Sequence, residues 1–593
     1  MWERATSEDG LGRLGRALRR FGAAPGAVLG EGGEFETLVL DGPAPLFKKR
    51  IVVPEAGRSV VSDGGGSLWL MLRGASLEDK ADDGPRGQTP TVREPPLLDA
   101  RFEAILSSVT AGAEHATAEP GADGRWLALA RGPAATLTGA GELLQWSVVA
   151  DAGVAGRSIE AETALVVDKI RKALSSASRD ASQITNTLIV LRRMADFSAV
   201  NEEYGKLFAR PIPPSRVTVS CGDLLPPGRN VLVFVSMPRA AVARGDRSGL
   251  HVQARSYWAP ANIGPYSQAV DVPVTARTRA TGLRAVYVAG QIPLVPASMT
   301  LPPPSCAASL QKQIVLSLQH LWRIGAEMKV QCWTSAVAYF ARASPSSSSP
   351  AEAMERRARQ ACRAWALAHA APDEDEAEAE VGPDPWHLRY NHEYMTLGGA
   401  DAQSSTVALP DWSIFTMRQQ NAPESCIPPV FAAEVQGLPR QSAVEWHAHV
   451  GLAHVPDGCA EMMRRPEVGG RRDWSAWHAV VRTAEASLVY TALARRPVDD
   501  EPAGSGDLEQ ALREAYRQSV RDICPEATAI SSLDGPCLVY VDVAQAATPW
   551  KGAGDWDGQM PFALVPCHSI WSPEAGRLAC LALFRADLVA ASQ

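Results

Sequence analysis

The order strand, helix, strand, strand occurs twice along this chain, and a repeated unit restricts the fold more than any single segment does. In the first copy, Trp126–Gly132 reads as a strand ending in glycine. A helix starting at Ser158 follows, with Ile159, Val166, Ile170 and Leu174 on one face. Ser158 suits its N-cap, and Glu160 and Glu162 suit the positive end of the helix dipole. The strand Thr187–Leu191 comes next, then Ile212–Ser220, then Val231–Val235 behind Leu225-Pro-Pro-Gly228. Downstream, Val286–Gly290 is again a strand closing on glycine, and Leu310, Ile314, Leu318 and Leu321 line a helix. Ala336–Phe340 reads as a strand, and Ile427-Pro-Pro429 precedes Leu438-Pro-Arg440 and the strand Ala443–His447. Two such units predict α+β domains with helices on one face of a mixed sheet. The last section has strands near 487–493 and 537–543, a helix over 508–522, and apolar runs at Leu564–His568 and Leu578–Phe584. It reads as an α/β extension, with a degenerate third copy as the alternative.

At 593 residues the chain is too long for one hydrophobic core, so several domains are expected. Residues 1–81 form one, 82–122 a linker whose first part, about Asp82 to Pro96, is rich in Gly, Pro, Arg and Asp, and 123–240 the first repeat. A second linker covers 241–256, the second repeat 257–455, and the extension 456–593. Ser344-Pro-Ser-Ser-Ser-Ser-Pro350, a helical run and the acidic tract Asp373–Glu380 read as a solvated insertion over 343–384. Ser/Pro and like-charge runs bury too little apolar surface to offset the entropy of ordering them. A net charge of −8 argues against direct nucleic-acid binding through phosphates. With no apolar leader at the N-terminus and no run approaching about 18 apolar residues, neither secretion nor a membrane span is expected, and the cytoplasm is the expected location. The ten cysteines are scattered singly and read as reduced core residues.

The densest local motif is Gly30-Glu-Gly-Gly-Glu-Phe-Glu-Thr-Leu-Val-Leu-Asp41, followed by Pro45-Leu-Phe-Lys-Lys-Arg-Ile51. Gly30, Gly32 and Gly33 allow close backbone approach to a ligand, with N–H groups turned outward. Glu31, Glu34 and Glu36 crowd carboxylates onto that turn, where they could orient ammonia or hold Mg²⁺ beside a nucleotide. Lys48, Lys49 and Arg50 add charge suited to phosphate or to a protein partner. A tight loop with solvated acids is the plainer reading of the same residues.

This string resembles the second signature of diphthine–ammonia ligases, over about residues 20–80. The resemblance implies an α/β domain of the HUP-type ATP-pyrophosphatase class, here its C-terminal half. It implies ATP with Mg²⁺ as cofactor, ammonium as co-substrate, and translation elongation factor 2 carrying diphthine as partner. ATP would adenylate the diphthine carboxylate and ammonia would displace AMP. Glu31, Glu34 and Glu36 would be catalytic, and Gly30, Gly32, Gly33, Thr37, Asp41, Lys48 and Lys49 would bind the nucleotide. The family's Ser-Gly-Gly-Lys-Asp-Ser-like phosphate loop is not found, so the chain is expected to begin midway through that domain.

Ala259-Pro-Ala-Asn-Ile-Gly-Pro-Tyr-Ser-Gln-Ala269 and Val288-Ala-Gly-Gln-Ile-Pro293 are similar to the Rid/YjgF family, of chorismate-mutase-like α+β fold. Met194–Tyr204 and Pro213-Pro-Ser-Arg216 resemble another part of it. The whole is therefore expected to be an α/β and α+β multidomain chain, a partial ligase domain followed by two Rid-like domains, with trimer-like internal packing an option. In deaminating Rid proteins an arginine holds the substrate carboxylate and a glutamate positions water. Here Arg216 stands in the first copy against apolar residues near Leu232, and Glu445 in the second against Val430-Phe431. A Rid-like pocket of Arg216, Tyr266, Gly290 and Glu445 requires the two copies to meet, and a non-catalytic scaffold is the plainer alternative. No metal site is expected: His447 and His449 share a strand face but read as core, as do Trp322, Trp333 and Trp446.

Overall fold

Three modules in the computed structural model share one strand order and one set of directions. In the first module, β5 (Leu143–Val149), β6 (Asn186–Leu191), β7 (Ser215–Ser220) and β8 (Val231–Pro238) lie in the order β5-β8-β6-β7. The β5–β8 and β8–β6 pairs are antiparallel and β6–β7 is parallel. In the second, β11 (Arg279–Val288) pairs antiparallel with β16 (Gly451–Ala453), whose upstream continuation β15 (Val444–Ala448) pairs antiparallel with β13 (Ala336–Ala341), itself parallel to β14 (Val430–Val435). In the third, β19 (Ala486–Arg495), β24 (Cys580–Val589), β20 (Leu538–Asp542) and β21 (Ala563–Cys567) repeat the pattern, with β20–β21 parallel. Among the described residues of 456–593, the same strand order therefore recurs a third time.

The chain divides into two units, Met1–Glu94 and Pro95–Gln593. Of the first, the structure describes the backbone of β1 (Trp2–Ala5), β2 (Glu34–Val39), β3 (Lys48–Val52) and β4 (Leu68–Met71). Of the second it describes 96–111, 142–150, 158–225, 228–276, 279–303, 309–342, 350–370, 409–420, 423–484, 486–498, 508–524, 537–545 and 563–589. Trp126–Gly132, the Ser/Pro run and the acidic tract lie outside the described residues.

Helices cover one face of each sheet. In the first module α2 (Ile159–Ser176) and α3 (Phe197–Gly205) bury Val166, Ile170, Leu174, Val200 and Tyr204 against Ile189, Leu191, Val233 and Val235. Ser158 caps α2, accepting from Ala161 N. Glu162 does more than complement the dipole: it is 2% exposed and accepts from Asn230 N, Asn230 Nδ2 and Val231 N. That pins the helix to the start of β8.

The second module departs from expectation. Inside the stretch 82–122, read as a linker, α1 (Ala100–Ala111) buries Phe102, Ile105 and Val109. Inside 343–384, read as a solvated insertion, α5 (Pro350–Ala368) buries Met354, Ala358, Ala361, Ala364, Trp365 and Ala368. Both join α4 (Ser309–Glu327) in one core. The apolar stripe of α5 is mostly alanine, so its period was masked by the Arg and Glu of the other face. Trp365 anchors it, donating to Pro428 O at 2.8 Å and stacking on Trp446 with ring centroids 5.6 Å apart. Within 241–256, read as the second linker, β9 (Ser248–Leu250) adds an edge to the hairpin of β10 (Ala269–Ala276) and β11. In the third module α6 (Leu508–Ile523) lies in the core beneath β19 and β24.

The opposite sheet faces meet one another. Val190, Val217 and Phe234 of the first module, Val337, Tyr339 and Phe431 of the second, and Ala492, Tyr540 and Leu581 of the third fall in one buried cluster. Strand exchange reinforces it: β22 (Ser569–Trp571) of the third module pairs antiparallel with β14 of the second, and Ser220 bridges to Gly437. With both faces covered, the strands need near-continuous apolar runs, which is what they carry. The three modules therefore pack as a trimer-like body within one chain.

Trp365→Ala should destabilise the chain by about 3–5 kcal/mol. Arg359→Ala, on the exposed face of the same helix, should stay within about 0.5 kcal/mol. Urea unfolding distinguishes this from a solvated insertion, where both substitutions would be equally mild.

Candidate active site at a module interface

Two strands from different modules deliver the pair that the sequence keeps on separate copies. Pro213 and Pro214 hold the chain extended ahead of β7, and Ser267 N donates to Pro214 O at 3.2 Å. Arg216 follows on β7, 4% exposed, and Gly290 N of the second module donates to its carbonyl at 3.1 Å. Its guanidinium lies over three rings: Tyr266 at 5.1 Å, Tyr204 at 5.4 Å and Phe197 at 5.6 Å. Tyr204 is fixed in turn by a 2.8 Å hydrogen bond with Thr187. Desolvated cation–π contacts of this kind contribute up to about 2 kcal/mol each.

Glu445 comes from β15 and is 3% exposed. Two glycines make room for the side chains. A Cβ at Gly290 would stand 1.8 Å from Glu445 Oε1, and one at Gly264 would stand 2.5 Å from Arg216 Nη2. Burial pushes the Glu445 carboxyl up to about 8, against the pull of Arg216. Burial also lowers the Arg216 guanidinium from its ordinary value. Arg216 Nη1 and Glu445 Oε2 are both buried without a hydrogen-bond partner among the described residues. Unmet polar groups of opposite character at one interface are costly to keep. A guanidinium can hold a carboxylate through two parallel bonds, and a carboxyl titrating near neutrality can give or take a proton.

The other two interfaces lack the pair among the described residues. Leu188–Val217, Val337–Phe431 and Leu538–Ala563 are equivalent rungs, so Arg216 corresponds to Val430. The rungs Leu188–Phe234, Val337–His447 and Leu538–Leu583 likewise align Glu445 with Leu232 and Leu581. Arg216, Tyr266, Gly290 and Glu445 thus lie together at the interface of the first and second modules. Phe197, Tyr204 and Gly264 were missed as members, although each lies in a segment whose family resemblance was visible.

In the first unit, β2 and β3 pair antiparallel with Glu36 opposite Arg50, Thr37 opposite Lys49 and Leu38 opposite Lys48. Glu34, Glu36, Thr37, Lys48 and Lys49 therefore belong to one hairpin. Gly30, Glu31, Gly32, Gly33 and Asp41 lie outside the described residues. His447 and His449 are buried as read, and His454 is exposed.

Strand order and packing define three α+β modules joined in one polypeptide, with an Arg/Glu pair at one interface. A family model described as Endoribonuclease L-PSP matches residues 131–234, and one described as Diphthamide synthase C-terminal domain matches residues 16–68. The chain is similar to diphthine–ammonia ligases, as its motif implied. It is 30% identical to that of Schizosaccharomyces pombe over 315 residues, 52% of this chain and 47% of the relative. It is 32% identical to that of Saccharomyces cerevisiae over 171 residues, 28% of this chain and 23% of the relative. The matched part thus spans about half or less of those relatives' lengths. A RutC family protein from Saccharolobus solfataricus is 32% identical over 84 residues, 14% of this chain and 64% of the relative. A solved YjgF-family member from Neisseria meningitidis aligns at 22% identity over 17% of this chain and 81% of its own, with a TM-score of 0.15. Such a score adds nothing to the topology itself. No helix among the described residues is long and apolar enough to cross a membrane.

Glu445 should make stability fall with rising pH. Its carboxyl ionises near 4.5 in the unfolded chain and near 8 in the folded one, so between those values the folded state holds the extra proton. Below 4.5 both states are protonated and the penalty vanishes. Glu445→Gln should flatten this slope in urea titrations run from about pH 5 to 9. Identical slopes in both proteins would disprove a buried neutral carboxyl.

Proposed function

We propose that this chain acts in the ATP-dependent amidation of diphthine on translation elongation factor 2, forming diphthamide with ammonium as nitrogen source. The observation that carries the reading is the match of residues 16–68 to the diphthamide synthase C-terminal domain, alongside two relatives named diphthine–ammonia ligase. The hairpin register is compatible with it, setting Glu36 and Thr37 opposite Arg50 and Lys49 on adjacent strands. Acidic groups for Mg²⁺ or ammonium and basic groups for phosphate then share one element. Gly30, Gly32, Gly33, Thr37, Asp41, Lys48 and Lys49 would hold the nucleotide, and Glu31, Glu34 and Glu36 would orient the amine. Bound ATP supplies the activation of the carboxylate. The Rid-type modules would dock the elongation factor, and the reading carries a cytoplasmic location with it.

The test combines calorimetry of ATP with Mg²⁺ and mass spectrometry of diphthine-bearing elongation factor 2 incubated with the 593-residue chain, ATP and ammonium. Micromolar ATP binding and loss of diphthine in favour of diphthamide are expected. Glu36→Gln should slow the conversion at least about tenfold, about 1.4 kcal/mol in the barrier. Absence of both binding and conversion would overturn the reading for this chain.

A second reading, hydrolysis of a 2-imino acid at the module interface, is favoured by Arg216 Nη1 and Glu445 Oε2, unpartnered among the described residues. Arg216 would hold the substrate carboxylate and Glu445 would position water. An imine freshly generated by an amino-acid oxidase should be hydrolysed faster with the chain present, and Arg216→Lys should remove most of the gain because it loses the bidentate fork. A wild-type rate equal to background leaves the modules as a scaffold.

A further inference from the structure

The chain enters β7 through a residue whose backbone suits it badly. Ile212 has a φ of 61°, in the left-handed region. Crowding of Cβ against the backbone makes that region uncommon for any residue but glycine, and an outlier for a β-branched one. Pro213 follows, and a proline pushes the residue before it towards extended backbone. Among the described residues with positive φ, Ile212 is the only β-branched one and the only one that precedes a proline. Local preferences overridden this far persist only where the surroundings dictate the conformation.

Those surroundings belong to the second module. Ile212 is half-buried and packs against the core that β10 and β11 share. Its Cγ2 sits over Gly249 of β9, where an added Cβ would stand 2.6 Å from it and 2.7 Å from Ala269 O. Gly249 faces Val270 in the β9–β10 ladder. The side chain is thus a knob from the first module seated in a notch that only glycine leaves open. Downstream, Pro214 O and Arg216 O accept from Ser267 N and Gly290 N of the second module, at 3.2 and 3.1 Å. At the far end of β7, Ser220 and Gly437 exchange N–H···O bonds of 2.9 and 3.2 Å. Backbone bonds of this kind form whichever side chains the two edges carry, whereas a knob fits one notch. The strand bearing Glu445 is entered in a like manner. Arg440 and Gln441, both with φ of 59°, turn the chain between Gly437 and β15.

We infer that Ile212 is a positioning residue for the Arg216/Glu445 interface: seated on Gly249, it fixes how the first module docks on the second, and so which side chains meet there. Its consequence for catalysis rests on the imine-hydrolysis reading, and its consequence for the interface does not.

Three variants of the full 593-residue chain test this. Ile212→Val keeps a methyl branch over Gly249, Ile212→Ala removes it, and Ile212→Gly removes it while freeing the backbone. Hydrogen exchange is followed by mass spectrometry on peptides covering Gly290 and Gly437, with β8 as internal control. In Ile212→Ala and Ile212→Gly, exchange at Gly290 should quicken at least about tenfold while β8 stays unchanged, and Ile212→Val should match the wild type. The same two variants should flatten the pH dependence of stability as Glu445→Gln does, because water then reaches the carboxyl. Arg216, Tyr266 and Tyr339 also sense Glu445, and burial pushes both tyrosines above their ordinary value, so the slope from about pH 5 to 9 reports the carboxyl. A residue that only stabilised the first module would lower stability at every pH and leave that slope alone. If the wild type hydrolyses the imine, both variants should lose at least about tenfold in kcat/KM. A wild type without hydrolysis would sink the imine reading alone, since exchange and slope still decide the positioning role. Wild-type exchange at Gly290 in Ile212→Ala, an unchanged slope, or an Ile212→Gly chain indistinguishable from wild type would each overturn it.

Discussion

The burial of three sheet faces against one another governs the rest of this molecule. Each sheet already has helices on one side, so its second apolar face must be covered by another module or by water. The shared cluster of Val190, Tyr339, Phe431, Tyr540 and their neighbours removes that face from solvent for all three. It is not held by apolar contact alone, since the Tyr339–Tyr540–His449 chain runs through it and ties the second module to the third. The β14–β22 pairing and the Ser220–Gly437 bridge then fix the registers in which the modules meet. The Arg216/Glu445 interface exists only because those registers are fixed.

Such packing explains how opposite groups came to be buried side by side. Arg216 is sequestered by Phe197, Tyr204 and Tyr266, and Glu445 is held mostly protonated at neutral pH by its apolar surroundings. Neither state would survive on an isolated module, whose sheet face would be hydrated. The neutral imidazoles of His447 and His449 depend on the same exclusion of water.

Much of this was legible in the residues. The helix at Ser158 with its cap and the strands near 187–191, 215–220 and 231–238 follow from periodicity and capping chemistry, whereas the first strand of that copy, read at 126–132, is found at Leu143–Val149. What escaped did so for physical reasons. The helix Pro350–Ala368 buries mainly alanine, which barely marks an apolar period, and it sits between Ser/Pro and acidic runs that dominate any composition window. Residues 100–111 carry three buried apolar positions inside a Gly/Pro-rich neighbourhood. The third module was faint because Leu581 stands where Glu445 marks the second, leaving topology rather than chemistry as the signal. The aromatic cage around Arg216 spans two modules, and no local pattern encodes a contact between them.

Joining the modules in one polypeptide changes how the interfacial site depends on conditions. In an assembly of separate subunits, a site shared between neighbours is diluted away as the protein becomes scarce. Here β7 and β15 are tethered, so their encounter is set by an effective concentration fixed by chain length, commonly about millimolar for short flexible tethers. The composite pocket therefore persists at any cellular abundance. Each interface can also diverge without altering the other two, a freedom closed to a homotrimer, where one substitution is copied three times.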